Sequence, residues 1–218
     1  VSFLGVIWIK EYYQLQRSIQ KLPIRIHVNG SRGKSSVTRL IAAGLRAGGL
    51  NTLAKTTGTS PRIIDDTGND LFIHRLRRPT ISEQIRILKD FAKEKPDVVV
   101  MECMAVQPQY QWISEHKMLK STIGVITNIR PDHIDEMGPT MTDITKSLGN
   151  TIPGNKAIII APSDHQNTLQ KIANDKNSKL VITDPDEIES SYMEKFSHLE
   201  HKENVALSLE VCMQLGIE

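Results

Sequence analysis

The chain has 218 residues, of which 39% are hydrophobic and 24% charged, and a net charge of +2. These values exclude a disordered or low-complexity chain and suit one sizeable hydrophobic core. The charge is unevenly spread: residues 1–60 hold nine Lys/Arg against the single acid Glu11, whereas residues from 151 onward hold six against eleven acids. A basic first part suits an anionic ligand or an anionic membrane surface, or is simply a solvated face. The two cysteines, Cys103 and Cys212, lie far apart in apolar surroundings without metal-ligand spacing. They read as reduced core residues of a cytosolic domain.

The first nine residues, VSFLGVIWI, carry no charge. The run is too short to cross a bilayer, which takes about 20 residues. Lys10, Arg17, Lys21 and Arg25 follow it. An apolar run leading into basic residues has the pattern of the cytoplasmic end of a membrane anchor, with a buried strand or helix start as the alternative. Residues 1–22 are therefore set apart as an anchor remnant and juxtamembrane helix, the helix covering 11–22.

Residues 23–218 read as one domain. Strands are expected at 24–28, 51–56, 97–103, 121–129, 156–161 and 179–183. Helices are expected at 35–49, 81–95, 108–119, 140–149, 164–176 and 203–217, with a turn-rich loop at 57–70. DVVVMEC and STIGVITNI are nearly continuous apolar runs, as in strands buried on both faces of a parallel sheet. The alternation predicts an α/β fold: a P-loop-type, mostly parallel sheet with helices on both faces. In such sheets ligands bind beyond the carboxyl ends of the strands. The informative segments are then 29–35, 102–107 and 128–136.

In the first of these, Gly30-Ser31-Arg32-Gly33-Lys34-Ser35 joins a strand to a helix. Glycines let backbone N–H groups turn toward an anion, and the helix start adds unpaired donors. Lys34 can reach terminal phosphates and the Ser35 hydroxyl can ligate Mg²⁺. The spacing is shorter than a Walker A motif, which would need glycine where Val28 stands. Glu102 ends a buried strand, where a carboxylate needs a partner or a metal. Asn128, Asp132, His133 and Asp135 gather in the loop after another buried strand. Two metal positions are conceivable, one served by Ser35 and Glu102 and the other by Glu102 and His133.

NGSRGKSS, VVVMEC, TNIRPDHID and ENVALSLEVCMQLGI resemble, in order and approximate spacing, the central ATPase domain of the Mur ligase superfamily. KTTGTSPR, ECMAVQPQYQ and DHIDEMGPT look most like the ligase subunits of poly-γ-glutamate synthases, which make capsule polymer. The resemblance implies an ATP- and Mg²⁺-dependent amide ligase. The γ-phosphoryl group of ATP would pass to a glutamate carboxylate, an amine would attack the acyl phosphate, and ADP and phosphate would leave. It implies catalytic roles for Lys34, Asn128 and His133, and nucleotide contacts from Gly30, Ser31, Arg32, Gly33, Lys34, Ser35, Ser36 and Asn204. Ser35, Glu102 and His133 would hold metal. Thr57, Gly58, Thr59, Ser60 and Arg62 would form a substrate or metal loop.

The chain departs from the pattern at three places. The residue before Asn204 is Glu203 rather than the usual histidine. Many relatives carry a carbamylated lysine slightly further past the metal histidine than Lys146, which lies 13 residues on from His133. A further C-terminal ligase domain is implied that this chain does not carry. Expected partners are glutamate or a polyglutamate chain and the membrane subunits of a polymer synthase at the cytoplasmic face, with no nucleic acid; homo-oligomerisation is left open. The alternatives are a non-catalytic nucleotide-binding subunit of a membrane assembly and another P-loop phosphotransferase.

Overall fold

The computed structural model describes residues 3–58, 60–74 and 80–217. Thr59 of the expected substrate loop and the first two residues of the expected anchor lie outside the described residues. In chain order the elements are α1 (Phe3–Ile19), β1 (Ile24–Asn29), α2 (Lys34–Ala47), β2 (Thr52–Thr56), β3 (Arg62–Ile64), β4 (Asp70–Phe72), α3 (Ile81–Glu94), β5 (Val98–Glu102) and α4 (Pro108–Ile113). There follow β6 (Ile123–Ile126), α5 (Ile134–Met137), α6 (Met141–Leu148), β7 (Ala157–Ile160), α7 (Gln166–Asp175), β8 (Lys179–Ile182), α8 (Ser190–Met193) and α9 (Lys202–Gln214). After α4 the helix continues over Ser114–Leu119 with wider, π-type hydrogen bonding.

One eight-stranded sheet has the order β4-β3-β2-β5-β1-β6-β7-β8. The six expected strands are all present and pair in parallel. The expected loop at 57–70 instead holds an antiparallel extension, β3 and β4, at the edge. Each is three residues long and β4 is exposed throughout, so neither carries a buried alternating pattern.

The sheet is covered on both faces. Ile26, Val28, Val98 and Val100 face α2 and α9 through Val37, Ile41, Leu45, Leu207 and Val211. On the other face Leu53, Val99 and Met101 pack against Leu15 and Ile19 of α1 and Ile87, Leu88 and Phe91 of α3. Under β6 and β7, Ile144, Leu148 and Leu169 complete that layer. Leu15, Ile19 and Leu22 share the cluster of Val99. One helix, Phe3–Ile19, runs across both segments and docks on the sheet through Leu15 and Ile19. No helix among the described residues is long and apolar enough to cross a membrane.

One buried ion pair ties β1 to the segment after α4. His27 Nδ1 lies 2.8 Å from Glu115 Oε2, both side chains being inaccessible to solvent. Glu115 also accepts from Ser121 N and Oγ, each at 2.9 Å. Burial alone would lower the His27 pKa, but the Cys103 side chain and the Glu115 carboxylate raise it from 6.5 to about 10. The stabilisation from this charge is complete below pH 6.5 and is lost as pH rises through about 10. Removing one partner of such a pair strands the other, at a cost of about 3 kcal/mol. Glu115→Ala is therefore expected to lower the unfolding free energy, measured by urea denaturation, by that amount at pH 6. The difference from wild type should shrink in the same titration as the pH approaches 10.

Candidate functional site

The site grows from the ends of three adjacent parallel strands. The register sets Val28 of β1 opposite Glu102 of β5, and Asn29 opposite Ile126 of β6. The loops leaving these strands therefore start from one rim. Between β1 and α2 the chain turns through Gly30 at φ 132° and Gly33 at φ 80°, a region closed to most side-chain-bearing residues. A Cβ on Gly30 would stand 2.1 Å from Thr127 Oγ1 and 2.8 Å from Thr127 N, so the loop can approach β6 only with glycine there.

Hydrogen bonds to the loop after β6 fix the turn. Ser31 N donates to Asn128 O at 3.0 Å, and Ser31 Oγ donates to Arg130 O at 2.9 Å. Arg32 N donates to Asn128 Oδ1 at 3.0 Å, while Asn128 Nδ2 and Thr127 Oγ1 both donate to Arg32 O. Asn128 thus shapes the phosphate loop through both ends of its amide. Thr127 was not singled out from sequence; its place beside Asn128 at a strand end was the available signal. Lys34 Nζ folds back to donate to Gly30 O at 2.6 Å and Ser31 O at 3.1 Å.

Glu102 is 2% exposed. Its Oε2 accepts from Ser35 Oγ at 2.8 Å and from Thr57 N at 2.7 Å. These bonds offset a desolvation cost of several kcal/mol for a lone carboxylate. They also bring Thr57 and Gly58 to the start of α2, where a Cβ on Gly58 would lie 3.4 Å from Ser35 Oγ. His133 opens α5 in the left-handed region at φ 46°, with its side chain 48% exposed. Asp132 and Glu136 stand 3.9 Å from its ring nitrogens. Arg32 meets Asp132 at 3.4 Å in an exposed contact of little energetic weight.

Ser31, Arg32, Gly33, Lys34, Ser35, Ser36, Glu102 and His133 line one open cleft of about 540 Å³, with Thr57, Gly58 and the 103–106 segment. A neighbouring cleft of about 870 Å³ shares Arg32, Gly33 and Ser36, and adds Asn128 and Asn204. Asn204 is buried at the start of α9 and holds Glu200 Oε1 at 2.7 Å. A Cβ on Gly33 would stand 2.9 Å from Asn204 Oδ1, so α9 abuts the phosphate loop. The structure does not bring Lys146 to either cleft. It is exposed on α6, close enough to Asp143 to help hold that carboxyl, after hydrogen bonds from Thr140, below its usual pKa. Its spacing from His133 is shorter than the pattern asks, and residue 146 falls on the solvent side of the helix.

The expected donors meet a divalent cation's requirements in part. Ser35 and Glu102 offer one hydroxyl and one carboxylate in contact, which suits Mg²⁺ when phosphate oxygens and water complete the shell. Among the described residues no three His, Cys, Asp or Glu side chains converge to hold a metal by themselves.

The arrangement has a counterpart in known proteins. The Mur ligase middle domain family matches residues 28–215. The chain belongs to this family. As a Mur ligase middle domain it is 37% identical over 218 residues to the capsule biosynthesis protein CapB of Bacillus anthracis, covering 99% of this chain and 47% of that protein. It is 39% identical over 215 residues to the PGA synthase CapB of Bacillus subtilis strain 168, covering 98% of this chain and 55% of that protein. The Mur ligase middle domain therefore spans about half the length of these relatives. Its fold matches E. coli FolC in complex with DHPP and ADP, with a TM-score of 0.71 at 16% identity, over 95% of this chain and 56% of that one. A bifunctional folylpolyglutamate synthase/dihydrofolate synthase with Mn, AMPPNP and L-glutamate bound gives 0.62 at 19% identity, over 81% and 47%.

Because Gly30 has no room for a Cβ, Gly30→Ala is expected to cost about 2 kcal/mol or more. A thermal melt and a titration with a fluorescent nucleotide analogue should show a lowered midpoint and lost binding together.

Proposed function

We propose that the two clefts bind ATP and that the protein is an amide ligase, joining a glutamate carboxylate to a glutamate amine in poly-γ-glutamate synthesis. The observation that carries this is the gathering of Lys34, Ser35, Glu102 and His133 around one cleft. Identity of 37% and 39% to two proteins named for capsule or PGA synthesis supports the choice of polymer.

A carboxylate is a poor electrophile, and transfer of a phosphoryl group to it supplies the leaving group for amide formation. In this chain, Lys34 would exchange the carbonyls of Gly30 and Ser31 for the β- and γ-phosphates, offsetting charge during transfer. The backbone N–H groups at the start of α2 would hold phosphate oxygens. Asn128 would keep the loop open to the triphosphate, and the larger cleft beside Asn204 would take the nucleoside. Ser35 and Glu102 would hold Mg²⁺, with His133 at a second cation. Bound there, Mg²⁺ draws negative charge from the phosphate oxygens. Lys146 is left out of this set.

Attachment to membrane-bound partners belongs to the same proposal. Exposed Ile9, Tyr12 and Tyr13 on α1, beside exposed Lys10 and Arg17, support it.

The test is ADP release by the full-length protein with and without glutamate or polyglutamate. Acceptor-dependent ADP formation is expected; release indifferent to acceptor would overturn the ligase assignment. Lys34→Ala should reduce turnover by about 10²-fold or more with the far-ultraviolet circular dichroism unchanged. His133→Gly relieves a left-handed backbone that costs about 1 kcal/mol or more. It should keep or raise the melting temperature while raising the Mg²⁺ concentration needed for half-maximal turnover.

A further inference from the structure

The segment from Glu102 to Gln111 enters the proposed chemistry only through its first residue. Its last, Gln111, is completely buried on α4. Gln111 Oε1 accepts from Asn29 Nδ2 at 2.8 Å. Gln111 Nε2 donates to Val106 O at 2.6 Å and to Ser147 Oγ at 2.9 Å. Asn29 Nδ2 also donates to Thr151 Oγ1 at 3.2 Å, and Thr151 Oγ1 donates on to Leu148 O at 2.9 Å. One amide therefore joins three bodies: the last residue of β1, from which the phosphate loop springs; the backbone after Glu102; and α6 with the turn that follows it.

Cys103, Met104, Ala105 and Val106 line the smaller cleft together with Asn29 and the phosphate loop. The Val106 carbonyl, a main-chain group of that wall, is held from behind by Gln111. Filling the space on α4 would require only an apolar side chain of similar volume. A buried amide with both ends engaged does more, since it fixes distance and direction. The phosphate loop takes its own hydrogen bonds from the other side, from Asn128 and Thr127. The wall can therefore shift while the loop stays.

We propose that Gln111 is a positioning residue: it sets the 103–106 wall at the distance from the phosphate loop at which the acceptor carboxylate meets the terminal phosphoryl group. This rests on the ligase assignment for the cleft. The first variant is Gln111→Glu, which keeps size and the acceptor for Asn29 but replaces the NH₂ group that donates to Val106 O and Ser147 Oγ by a carboxyl oxygen. Gln111→Met, of similar volume and without polar atoms, is the second.

In the full-length protein, the expected result is a kcat at least tenfold lower and a KM for the glutamate acceptor at least fivefold higher. The KM for ATP and the affinity for a fluorescent ATP analogue should stay within twofold of wild type. Hydrogen exchange should quicken at least tenfold at residues 103–106 and remain unchanged at 30–34. Unchanged kinetics, or equal losses in acceptor and nucleotide terms tracking a lowered melting temperature, would overturn the proposal. So would failure of both variants to fold. If wild type shows no acceptor-dependent turnover, the ligase assignment falls, and the exchange measurement still decides Gln111 alone: unchanged exchange at 103–106 refutes its hold on the wall.

Discussion

Three strands ending level is the constraint on which the rest depends. Because β5, β1 and β6 are parallel neighbours in fixed register, Glu102, Asn29 and Thr127 emerge at one rim from segments remote in sequence. Side chains alternate along a strand, so the same register sends Glu102 toward α2 and sends Met101 and His27 to the opposite face. A one-residue slip of β5 would turn the carboxylate into the α1–α3 layer and leave Ser35 without its partner. The apolar packing of both faces holds that slip off. The core is thus the positioning device for chemistry that none of its residues performs.

Close approach supplies the second layer of control. The phosphate loop touches β6 where Gly30 lies against Thr127, and it touches α9 where Gly33 lies against Asn204. Both contacts use the missing Cβ. The loop is thereby wedged between two elements that line the larger cleft, and the shape of that cleft is tied to the shape of the phosphate cradle. Glu102 performs a matching function on the other side, where one carboxylate oxygen gathers the Ser35 hydroxyl and the Thr57 amide.

The parallel strands were legible because burial on both faces leaves a continuous apolar run, and the phosphate loop was legible because its glycines sit between a strand and a helix. Glu102 and His133 stand at or just past the ends of such runs, and one cleft is lined by both. The β3–β4 extension was not legible, since RII and DLF are too short and too exposed to show alternation. Composition divides Phe3–Ile19 after its apolar start, although a single helix crosses that change with Leu15 and Ile19 turned inward. Lys146 is suggested by the family resemblance at a spacing that departs from it, and spacing does not say which side of a helix meets solvent. Gln111 leaves no sequence signal because its partners, Asn29, the Val106 carbonyl and Ser147, meet only in the fold; Thr127 shows only its place beside Asn128, its partner Arg32 lying 95 residues away.

The resting place of Lys34 has a consequence for how the cradle fills. Its ammonium already neutralises the two loop carbonyls, Gly30 O and Ser31 O, that would otherwise repel an arriving anion. Under the proposed function, entry of a polyphosphate would be an exchange of ligands around a nitrogen that never becomes bare. The net gain would be the difference between two coordination shells, which would favour a chain of several charged groups over a lone small anion.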